Sequence, residues 1–352
     1  MARKSALLIL TDKGYYCPQA DLYIDPWRKV DKALLTHAHA DHARPGMKHY
    51  LAHKDSENVL RLRLGASISL QTLEYGQPLI MNGVEITLFP AGHVPGSAQA
   101  RLSYKGETWV VSGDYKLEDD GLSPAFEPVR CQHFITESTF GLPVYRWRPQ
   151  SQVAEELNAW WRGLAERGEN GVISAYSLGK AQRVLKLLDR SIGEVYCHSA
   201  IAQTNRALES QGFAFGPWKA MSEAGAERQR GALVIAPPAA SGAVALKKWG
   251  DYETAHCSGW MNMRGQRRWG NLDRGFVLSD HADWTSLNKA VEATGAENIY
   301  VTHGFSAAFA RYLREEKGLN AQTVKTMFSG DDAAEDLDKA LMMQAEKAGG
   351  ES

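Results

Sequence analysis

Short apolar runs that end at a polar residue alternate with longer stretches of helical spacing along most of the chain. Runs rich in β-branched and aromatic residues predict early strands over Asp21–Asp25, Ala33–Thr36, Glu85–Phe89, Trp109–Ser112 and Phe134–Thr136. This alternation of strand and helix patterns is typical of α/β proteins. Because such proteins usually build their sites at the ends of strands, we expect functional side chains at these polar ends.

The pattern changes character after Phe140 and changes back near Gly275. Between these points, a helix is predicted over Val153–Arg167 and a strand over Gly171–Ala175, and further strands and helices alternate after them. After Gly275 the earlier pattern returns with a strand predicted over Phe276–Ser279. The simplest organisation is one α/β domain, residues 1–143 and 275–352, interrupted by a second α/β domain of residues 144–274.

Composition excludes several classes of protein. Of the 352 residues 44% are hydrophobic, and 40 basic residues against 41 acidic ones leave a net charge of −1. Binding of nucleic acid by a surface covered with positive charge is therefore not expected, although a local basic groove is not excluded. No apolar run approaches the roughly 18–20 residues of a membrane helix, so no membrane partner is expected. The four cysteines form no CxxC motif and no signal-peptide pattern is present, which predicts a cytoplasmic protein.

The strongest candidate for chemistry is the segment Thr36-His37-Ala38-His39-Ala40-Asp41-His42, directly after a predicted strand. Imidazole and carboxylate groups suit zinc and related divalent ions without any thiol. His37 and His39 are two residues apart and can point to one side, while Asp41 and His42 can serve a second ion. A polar loop that holds three of the chain's 11 histidines by accident is the weaker interpretation.

This HxHxDH pattern resembles the signature of the metallo-β-lactamase superfamily, which implies an αββα sandwich. The resemblance implies further ligands at His93, within Ala91–Ser97, and at Asp114, within Ser112-Gly113-Asp114; each follows a predicted strand. It also implies that Asp25 supports the histidine loop. Any one of these residues alone would more often be an ordinary polar residue, but their order and their strand-end positions agree.

Three later motifs resemble those of the β-CASP nucleases, which carry an inserted α/β domain within this fold. They are Glu137 in Thr136–Gly141, His281 in Ser279–Asp283, and His303 in Val301–Gly304. The segment Tyr176–Gln182 resembles the strand-to-helix signature of the β-CASP insert.

The resemblance implies phosphodiester hydrolysis with two divalent metal ions, for which zinc is the expected element and manganese the alternative. The resemblance implies that one ion is bound by His37, His39 and His93. The other ion would be bound by Asp41, His42 and His303, and Asp114 would bind both. Asp41 and Asp114 thereby join the catalytic group. The leaving sugar oxygen needs a proton, and His281, oriented by Glu137, is the candidate to supply it.

Nucleic-acid contacts are predicted in the inserted domain. The loop from Cys257 to Trp269 combines cations with aromatic rings, which suits the phosphates and bases of a single strand. Its candidate contacts are Ser258, Gly259, Arg264, Arg267 and Arg268, and Lys180 near the Tyr176–Gln182 signature is another. The alternative for the loop is a solvated segment whose tryptophans pack between domains, and a charged helix face is usually only solvated.

The motifs resemble most closely those of the bacterial DNA-ligase-associated exonucleases. The segments that carry this resemblance are Asp25–Arg28, His39–Arg44, Arg63–Gly65 and Ser279–Trp284. This implies an exonuclease of DNA repair that acts on single strands or strand ends, in the 5′→3′ direction. It also implies an ATP-dependent DNA ligase and a helicase as partners. One departure is His303, because the eukaryotic DNA-acting branch usually has Val there, whereas RNA-acting members have His.

Three alternatives stay open. The first is an RNA nuclease of the same fold, similar to RNase J or to the 3′-end-processing endonucleases. The second is a scaffold without catalysis, which the filled ligand positions disfavour. The third is a hydrolase of small molecules, which the inserted domain disfavours.

Overall fold

The computed structural model describes residues 6–225, 229–240, 249–262 and 273–326. They form two compact units, one from residues 6–146 and 281–326 and the other from the described part of 147–280. The predicted domain boundaries, 143/144 and 274/275, lie a few residues from the limits of these units, 146/147 and 280/281, and stay predictions. No helix among the described residues has the length and apolar character needed to cross a bilayer.

Six helices are labelled in chain order. They are α1 Glu57–Leu64, α2 Gln150–Arg167, α3 Lys180–Leu187, α4 Ser199–Glu209, α5 Trp284–Thr294 and α6 Ser306–Glu315. Short 3-10 turns cover Lys54–Ser56, Met221–Glu223 and Gly259–Asn262. Helix α1 continues directly from the first of these turns.

The first unit contains two sheets. The six-stranded sheet has β1 Ile9–Thr11, β2 Gly14–Cys17, β3 Leu22–Ile24, β4 Lys32–Leu34, β5 His49–His53 and β6 Leu70–Leu73, paired in chain order. The seven-stranded sheet has β7 Pro78–Met81, β8 Val84–Pro90, β9 Ala98–Tyr104, β10 Glu107–Val111, β11 His133–Glu137, β18 Asn298–Thr302 and β19 Asn320–Thr323. Its order is β19-β18-β11-β10-β9-β8-β7.

Alternating side chains explain how these sheets pack. Val111 and Ile135 point into a core shared with the six-stranded sheet, where they meet residues such as Leu34. Their neighbours Val110 and Phe134 point to the opposite face and pack with α5 and α6. Because successive residues of a strand face opposite sides, strands with apolar residues at both positions must be covered on both faces. The result is a sandwich of two sheets with helices outside.

Strand direction places one set of strand ends together. Strands β10, β11 and β18 run parallel, and β8 runs the same way because both β8 and β10 are antiparallel to β9. In the other sheet, β3 and β4 are parallel. Carboxyl ends of parallel strands lie at the same edge of their sheet, so the loops after them can share one site.

The second unit has a parallel sheet with helices α2 to α4. Its strands are β12 Asn170–Ser174, β13 Val195–Cys197, β14 Lys219–Ala220, β15 Leu233–Ala236, β16 Tyr252–Cys257 and β17 Arg274–Phe276. Their order is β14-β13-β15-β12-β16-β17. Strand β12 is buried at every position, which agrees with a central strand covered on both faces.

One predicted strand differs from the structure in place and in sheet. The apolar run Phe276–Ser279 predicts a strand of the first domain, but the strand there is Arg274–Phe276 and pairs with β16 in the sheet of the second unit. Pairing with Ala255–Cys257 determines the bounds, because it uses Arg274 and Gly275 before the apolar run and only Phe276 of the run itself. The predicted α/β fold class is confirmed.

Replacing Phe134 by Ala tests the core on the outer face of the seven-stranded sheet. Phe134 is fully buried among residues of β10, β18, α5 and α6, so its truncation should cost about 3–5 kcal/mol. The control Ile80→Ala, at a side chain that is 61% exposed, should change stability by no more than about 0.5 kcal/mol. Urea denaturation followed by circular dichroism measures both, and equal midpoints for the two variants would contradict this packing.

Candidate metal centre

The candidate centre is built from loops that follow strands of both sheets. His37 and His39 follow β4, His93 follows β8, and Asp114 follows β10. Glu137 is the last residue of β11, and His303 comes directly after β18. The common strand direction therefore brings together residues that are far apart in the chain.

Four of the predicted ligands form one group. The candidate ligand atoms of His37, His39, His93 and Asp114 all lie within 4.8 Å of one another. The ring nitrogens His93 Nε2 and His39 Nδ1 are 3.0 Å apart, and Asp114 Oδ2 lies 3.5 Å from His37 Nε2. Three imidazoles and a carboxylate within this space match the donor set that zinc prefers.

A second group lies beside the first and shares His37. It contains Asp41 and His42, and all its candidate ligand atoms also lie within 4.8 Å of one another. His42 Nε2 is 3.5 Å from Asp41 Oδ2 and 3.6 Å from Asp114 Oδ2. The position of Asp114 next to both groups is what a bridging ligand requires.

Asp25 and Thr36 hold the histidine loop from behind. The Thr36 backbone N–H donates to Asp25 Oδ1 at 2.8 Å, and its hydroxyl donates to Oδ2 at 2.6 Å. The same Oδ2 lies 2.7 Å from His42 Nδ1, which fixes the ring so that Nε2 faces the site. Asp25 thus contacts the histidine loop at Thr36 and His42, and its supporting role stays a prediction. Thr36 was not predicted, because a hydroxyl at a strand end has no spacing pattern of its own.

His303 lies next to the second group. Its ring is stacked on that of His42, with ring centroids 5.4 Å apart. The residue has a left-handed backbone with φ +55°, and the following Gly304 packs so closely on Thr139 that a Cβ there would lie 2.4 Å from its Cα. The Ser138 hydroxyl donates to the His303 carbonyl at 2.5 Å and so fixes this turn.

Glu137 and His281 form a buried pair that makes a third group with Asp114, whose candidate ligand atoms also lie within 4.8 Å of one another. His281 Nδ1 lies 3.1 Å and 3.0 Å from the two carboxylate oxygens of Glu137, and Glu137 Oε1 also accepts from the Tyr115 backbone N–H at 2.7 Å. The ring of His281 is 4.6 Å from that of His93. The carboxylate is therefore placed to orient the imidazole, and the catalytic roles of the two residues stay predictions.

The imidazoles of the site differ strongly in proton affinity. Burial and the neighbouring imidazoles lower the pKa of His37 well below its ordinary value. Burial, together with the charge on His42, lowers the pKa of His303 to about 4. These two rings are neutral near pH 7 and present lone pairs, which is the form that binds a metal ion.

His42 has the opposite behaviour. Burial alone would lower its pKa, but the carboxylates of Asp41, Asp114 and Asp25 outweigh burial and raise the pKa to about 10. Burial also raises the pKa of Asp114 to about 7, although the charge on His42 opposes this. The protonated His42 ring carries a positive charge, which partly offsets the negative charge of the neighbouring carboxylates.

Two buried ring nitrogens support a fit to metal ions. Nε2 of His37 and Nε2 of His42 are buried and form no hydrogen bond within the described part of the chain. A buried polar atom without a partner costs about 1–3 kcal/mol, so such atoms usually have one. Both atoms lie close to Oδ2 of Asp114, at 3.5 Å for His37 and 3.6 Å for His42. Imidazole and carboxylate donors together suit zinc or manganese.

The predicted nucleic-acid contacts fall in the second unit. The Ser258 backbone N–H already donates to the Phe276 carbonyl at 3.1 Å, and Ser258 and Gly259 are both buried. Lys180 is buried and its ammonium lies 3.1 Å from Asp280. Its contact with nucleic acid stays a prediction. Arg264, Arg267 and Arg268 lie outside the described residues.

Comparison with known proteins identifies the class to which the first unit belongs. Residues 8–146 match the family model described as the metallo-beta-lactamase superfamily. This stretch contains the histidine loop, His93, Asp114 and Glu137. The chain therefore contains a metallo-β-lactamase superfamily domain, which confirms the resemblance inferred from the histidine motif.

Relatives extend the match and carry names of nucleic-acid enzymes. A probable DNA ligase of Opitutus terrae is 31% identical over 314 residues, which are 88% of this chain and 30% of the relative. Endoribonuclease ysh1 of Aspergillus fumigatus is 35% identical over 123 residues, 34% of this chain and 14% of that protein. Cleavage and polyadenylation specificity factor subunit 3 of Dictyostelium discoideum is 29% identical over 122 residues, 34% of this chain and 16% of that protein. The chain spans less than a third of each relative.

A solved structure shares the fold. It is described as a protein of unknown function from Enterococcus faecalis V583, with a TM-score of 0.56 and 12% sequence identity, and it covers 84% of this chain and 79% of that chain. At this identity the likeness concerns the fold alone. The predicted fold class, a metallo-β-lactamase sandwich with an inserted β-CASP domain, is confirmed by the family match and the relatives.

Metal binding to the metal-free protein should release protons at neutral pH. A ring nitrogen must lose its proton before it binds a metal, and His42, whose pKa is raised to about 10, holds a proton near pH 7. We therefore expect the apparent affinity for Zn²⁺ to rise with pH between 6 and 8. Calorimetric titrations in two buffers of different ionisation enthalpy measure the released protons, and identical heats in both buffers would contradict the assignment.

Proposed function

We propose that this protein is a metal-dependent phosphodiesterase that cleaves nucleic acid, and that its substrate is DNA. The observation that carries the proposal is the hydrogen-bonded Glu137–His281 pair, which is buried, shares the neighbour Asp114 with the four-residue group of predicted ligands and lies beside it. The ligand groups alone fit any hydrolase of the superfamily. An acid–base pair beside the ligands fits a reaction in which a poor leaving group, such as a sugar oxygen, must receive a proton.

The roles proposed for the ligands follow the two groups. His37, His39 and His93 would hold one divalent ion. Asp41, His42 and His303 would hold the other, with Asp114 between the two. Bound divalent ions lower the pKa of a coordinated water to about 7 and polarise a phosphoryl oxygen. Asp25 and Thr36 keep the His42 ring and the histidine loop in place.

His281 is proposed to give a proton to the leaving oxygen of the cleaved phosphodiester. Glu137 binds Nδ1 of the ring, so Nε2 is the atom that would carry the transferred proton. Hydrolysis adds one water to the P–O bond and yields a phosphate monoester and a free hydroxyl. The inserted domain, residues 144–274, would hold the strand, with Ser258, Gly259, Lys180 and the three arginines of the loop as proposed contacts.

DNA is proposed because the relative that aligns with most of this chain is named a probable DNA ligase. The motifs that resemble those of ligase-associated exonucleases support the same choice. A 5′→3′ exonuclease that removes nucleotides from single strands or strand ends would prepare termini for a ligase in DNA repair. An ATP-dependent DNA ligase and a helicase are therefore the proposed partners, in the cytoplasm.

RNA is the second candidate substrate, and two observations favour it. Relatives that align with about a third of this chain are named endoribonucleases. His303 is stacked on His42 at the position where the eukaryotic DNA-acting members usually have Val. An RNA nuclease similar to RNase J or to the 3′-end-processing enzymes would use the same ligands.

A substrate panel tests the proposal. We expect the purified protein, with Zn²⁺ or Mn²⁺, to shorten single-stranded DNA stepwise from its 5′ end and to act more slowly on RNA of equal sequence. The panel compares labelled DNA and RNA, each with and without a 5′-phosphate, on sequencing gels. Asp114→Ala should abolish cleavage, because it removes the carboxylate that lies next to both groups and is proposed to stand between the two ions.

Each other result of the panel has a definite meaning. Preference for RNA would overturn the DNA assignment, and internal cuts would overturn the exonuclease assignment. Cleavage by Asp114→Ala at the wild-type rate would assign the activity to a contaminant. Absence of cleavage on every substrate, with both ions bound, would favour the alternative that the protein is a scaffold without catalytic activity.

Replacing His281 by Ala separates proton transfer from metal binding. We expect kcat to fall by about 10²–10⁴ with normal metal content, because the leaving oxygen loses its proton donor. His49→Ala is the matched control, since His49 is exposed and belongs to none of the three groups of candidate ligands. Metal analysis and single-turnover kinetics give the two readouts. Loss of an ion from His281→Ala would make His281 a ligand and overturn its proposed role.

A further inference from the structure

Helix α1 is hydrogen-bonded to the loop that carries His37 and His39. Arg63, in the last turn of the helix, donates from Nη1 to the carbonyl oxygen of Ala38 at 2.6 Å. Ala38 stands between the two histidines and is fully buried. A guanidinium bonded to this carbonyl therefore fixes the peptide unit that joins the two rings.

The other end of the same helical segment contacts the loop that carries His93. The Ser56 hydroxyl donates to the Gly96 carbonyl at 3.0 Å, and a Cβ on Gly96 would lie only 2.3 Å from that hydroxyl oxygen. Next to Gly96, Ser97 Oγ accepts from the backbone N–H groups of His93 and Val94 at 3.0 and 3.2 Å. The loop is thus closed on itself and attached to Ser56.

Ser56 makes this contact instead of capping its own helix. A serine before the first residue of a helix usually accepts a hydrogen bond from a backbone N–H of the first turn, but Ser56 makes no such bond. His53 caps the preceding turn in its place, through Nδ1, which accepts from the Asp55 N–H at 3.2 Å. The Ser56 hydroxyl is therefore available for the His93 loop.

Tyr75 adds a second attachment to that loop. Its ring is stacked on His53 with centroids 3.5 Å apart, and its hydroxyl donates to the Ser97 carbonyl at 2.8 Å. Two consecutive carbonyls of the loop, those of Gly96 and Ser97, thus accept hydrogen bonds from the hydroxyls of Ser56 and Tyr75. The loop is attached at more than one point, so it cannot move as a hinge about Ser56.

The distance between Ser56 and Arg63 allows the helix to hold the two loops at a fixed separation. Ser56 and Arg63 are seven residues apart, which is about two helical turns and about 10 Å, so both lie on one face of the segment. The rings that the two loops carry must meet closely, since His93 Nε2 and His39 Nδ1 are 3.0 Å apart. A short helix is stiffer than the loops and sets the distance between them.

We propose that α1 positions the three-imidazole group His37, His39 and His93, with Arg63 and Ser56 as positioning residues that set its affinity for a divalent ion. The inference rests on the proposed metal-dependent function. Neither residue belongs to a group of candidate metal ligands. Partners that orient ligands without binding the metal typically change metal affinity by ~10–100-fold when removed.

Zn²⁺ titration of the full chain against a chromophoric chelator tests this inference. For Arg63→Met and Ser56→Ala we expect one of the two ions to bind about 10–100-fold more weakly, while the other binds as in the wild type. Arg63→Lys, which keeps one donor for the Ala38 carbonyl, should restore part of the loss. Arg61→Met is the matched control, because Arg61 is on the same helix but pairs with Glu57 at 2.9 Å.

The outcomes separate this inference from the proposed function. Wild-type affinity for both ions in Arg63→Met and Ser56→Ala would overturn the positioning role, as would an equal loss in Arg61→Met. If Arg63→Met fails to fold, Ser56→Ala and Arg63→Lys decide by the same criterion. Two ions bound to the wild type without any nuclease activity would overturn the function but not the positioning role. A wild type that binds no ion would overturn both.

Discussion

Within the centre, the carboxylate of Asp114 faces imidazole nitrogens that come from three positions of the chain. Its Oδ2 lies 3.5, 3.6 and 3.8 Å from Nε2 of His37, His42 and His93. A buried charge is costly unless it is paired, and Asp41 and Asp25 bring two more carboxylates nearby. Divalent cations shared between these carboxylates and the neutral rings would satisfy both kinds of group at once, which is why the arrangement favours metal binding over an ordinary polar core.

This concentration of polar groups depends on the direction of the strands. Because β3 and β4 of one sheet, and β8, β10, β11 and β18 of the other, each end at the same edge, the side chains that follow them converge without long loops. The apolar residues of the same strands remain in the two cores. The sandwich therefore supplies rigidity, while the residues just beyond the strands supply the chemistry.

Sequence patterns predicted the strands that precede the candidate site, because those strands are apolar and end at polar residues. Strands such as β6, Leu70–Leu73, and β16, Tyr252–Cys257, were not predicted, since polar residues interrupt their patterns and pairing with neighbours determines them. The predicted ligands of the metal groups do converge, and their roles stay predictions. Thr36 and Ser56 could not be found from the sequence, because a hydroxyl that binds a distant carbonyl or carboxylate leaves no local pattern.

Precise placement in this site is maintained by residues that would not bind a metal ion. His303 adopts a left-handed backbone that costs about 1–3 kcal/mol, and such strain persists only where surrounding contacts determine the conformation. Those contacts are the Ser138 hydroxyl on its carbonyl and the tight packing of Gly304. Asp25 on the His42 ring and Arg63 on the Ala38 carbonyl do the same for the histidine loop. These contacts hold the loops from behind, and at His303 they maintain a backbone conformation that the residue alone would not prefer.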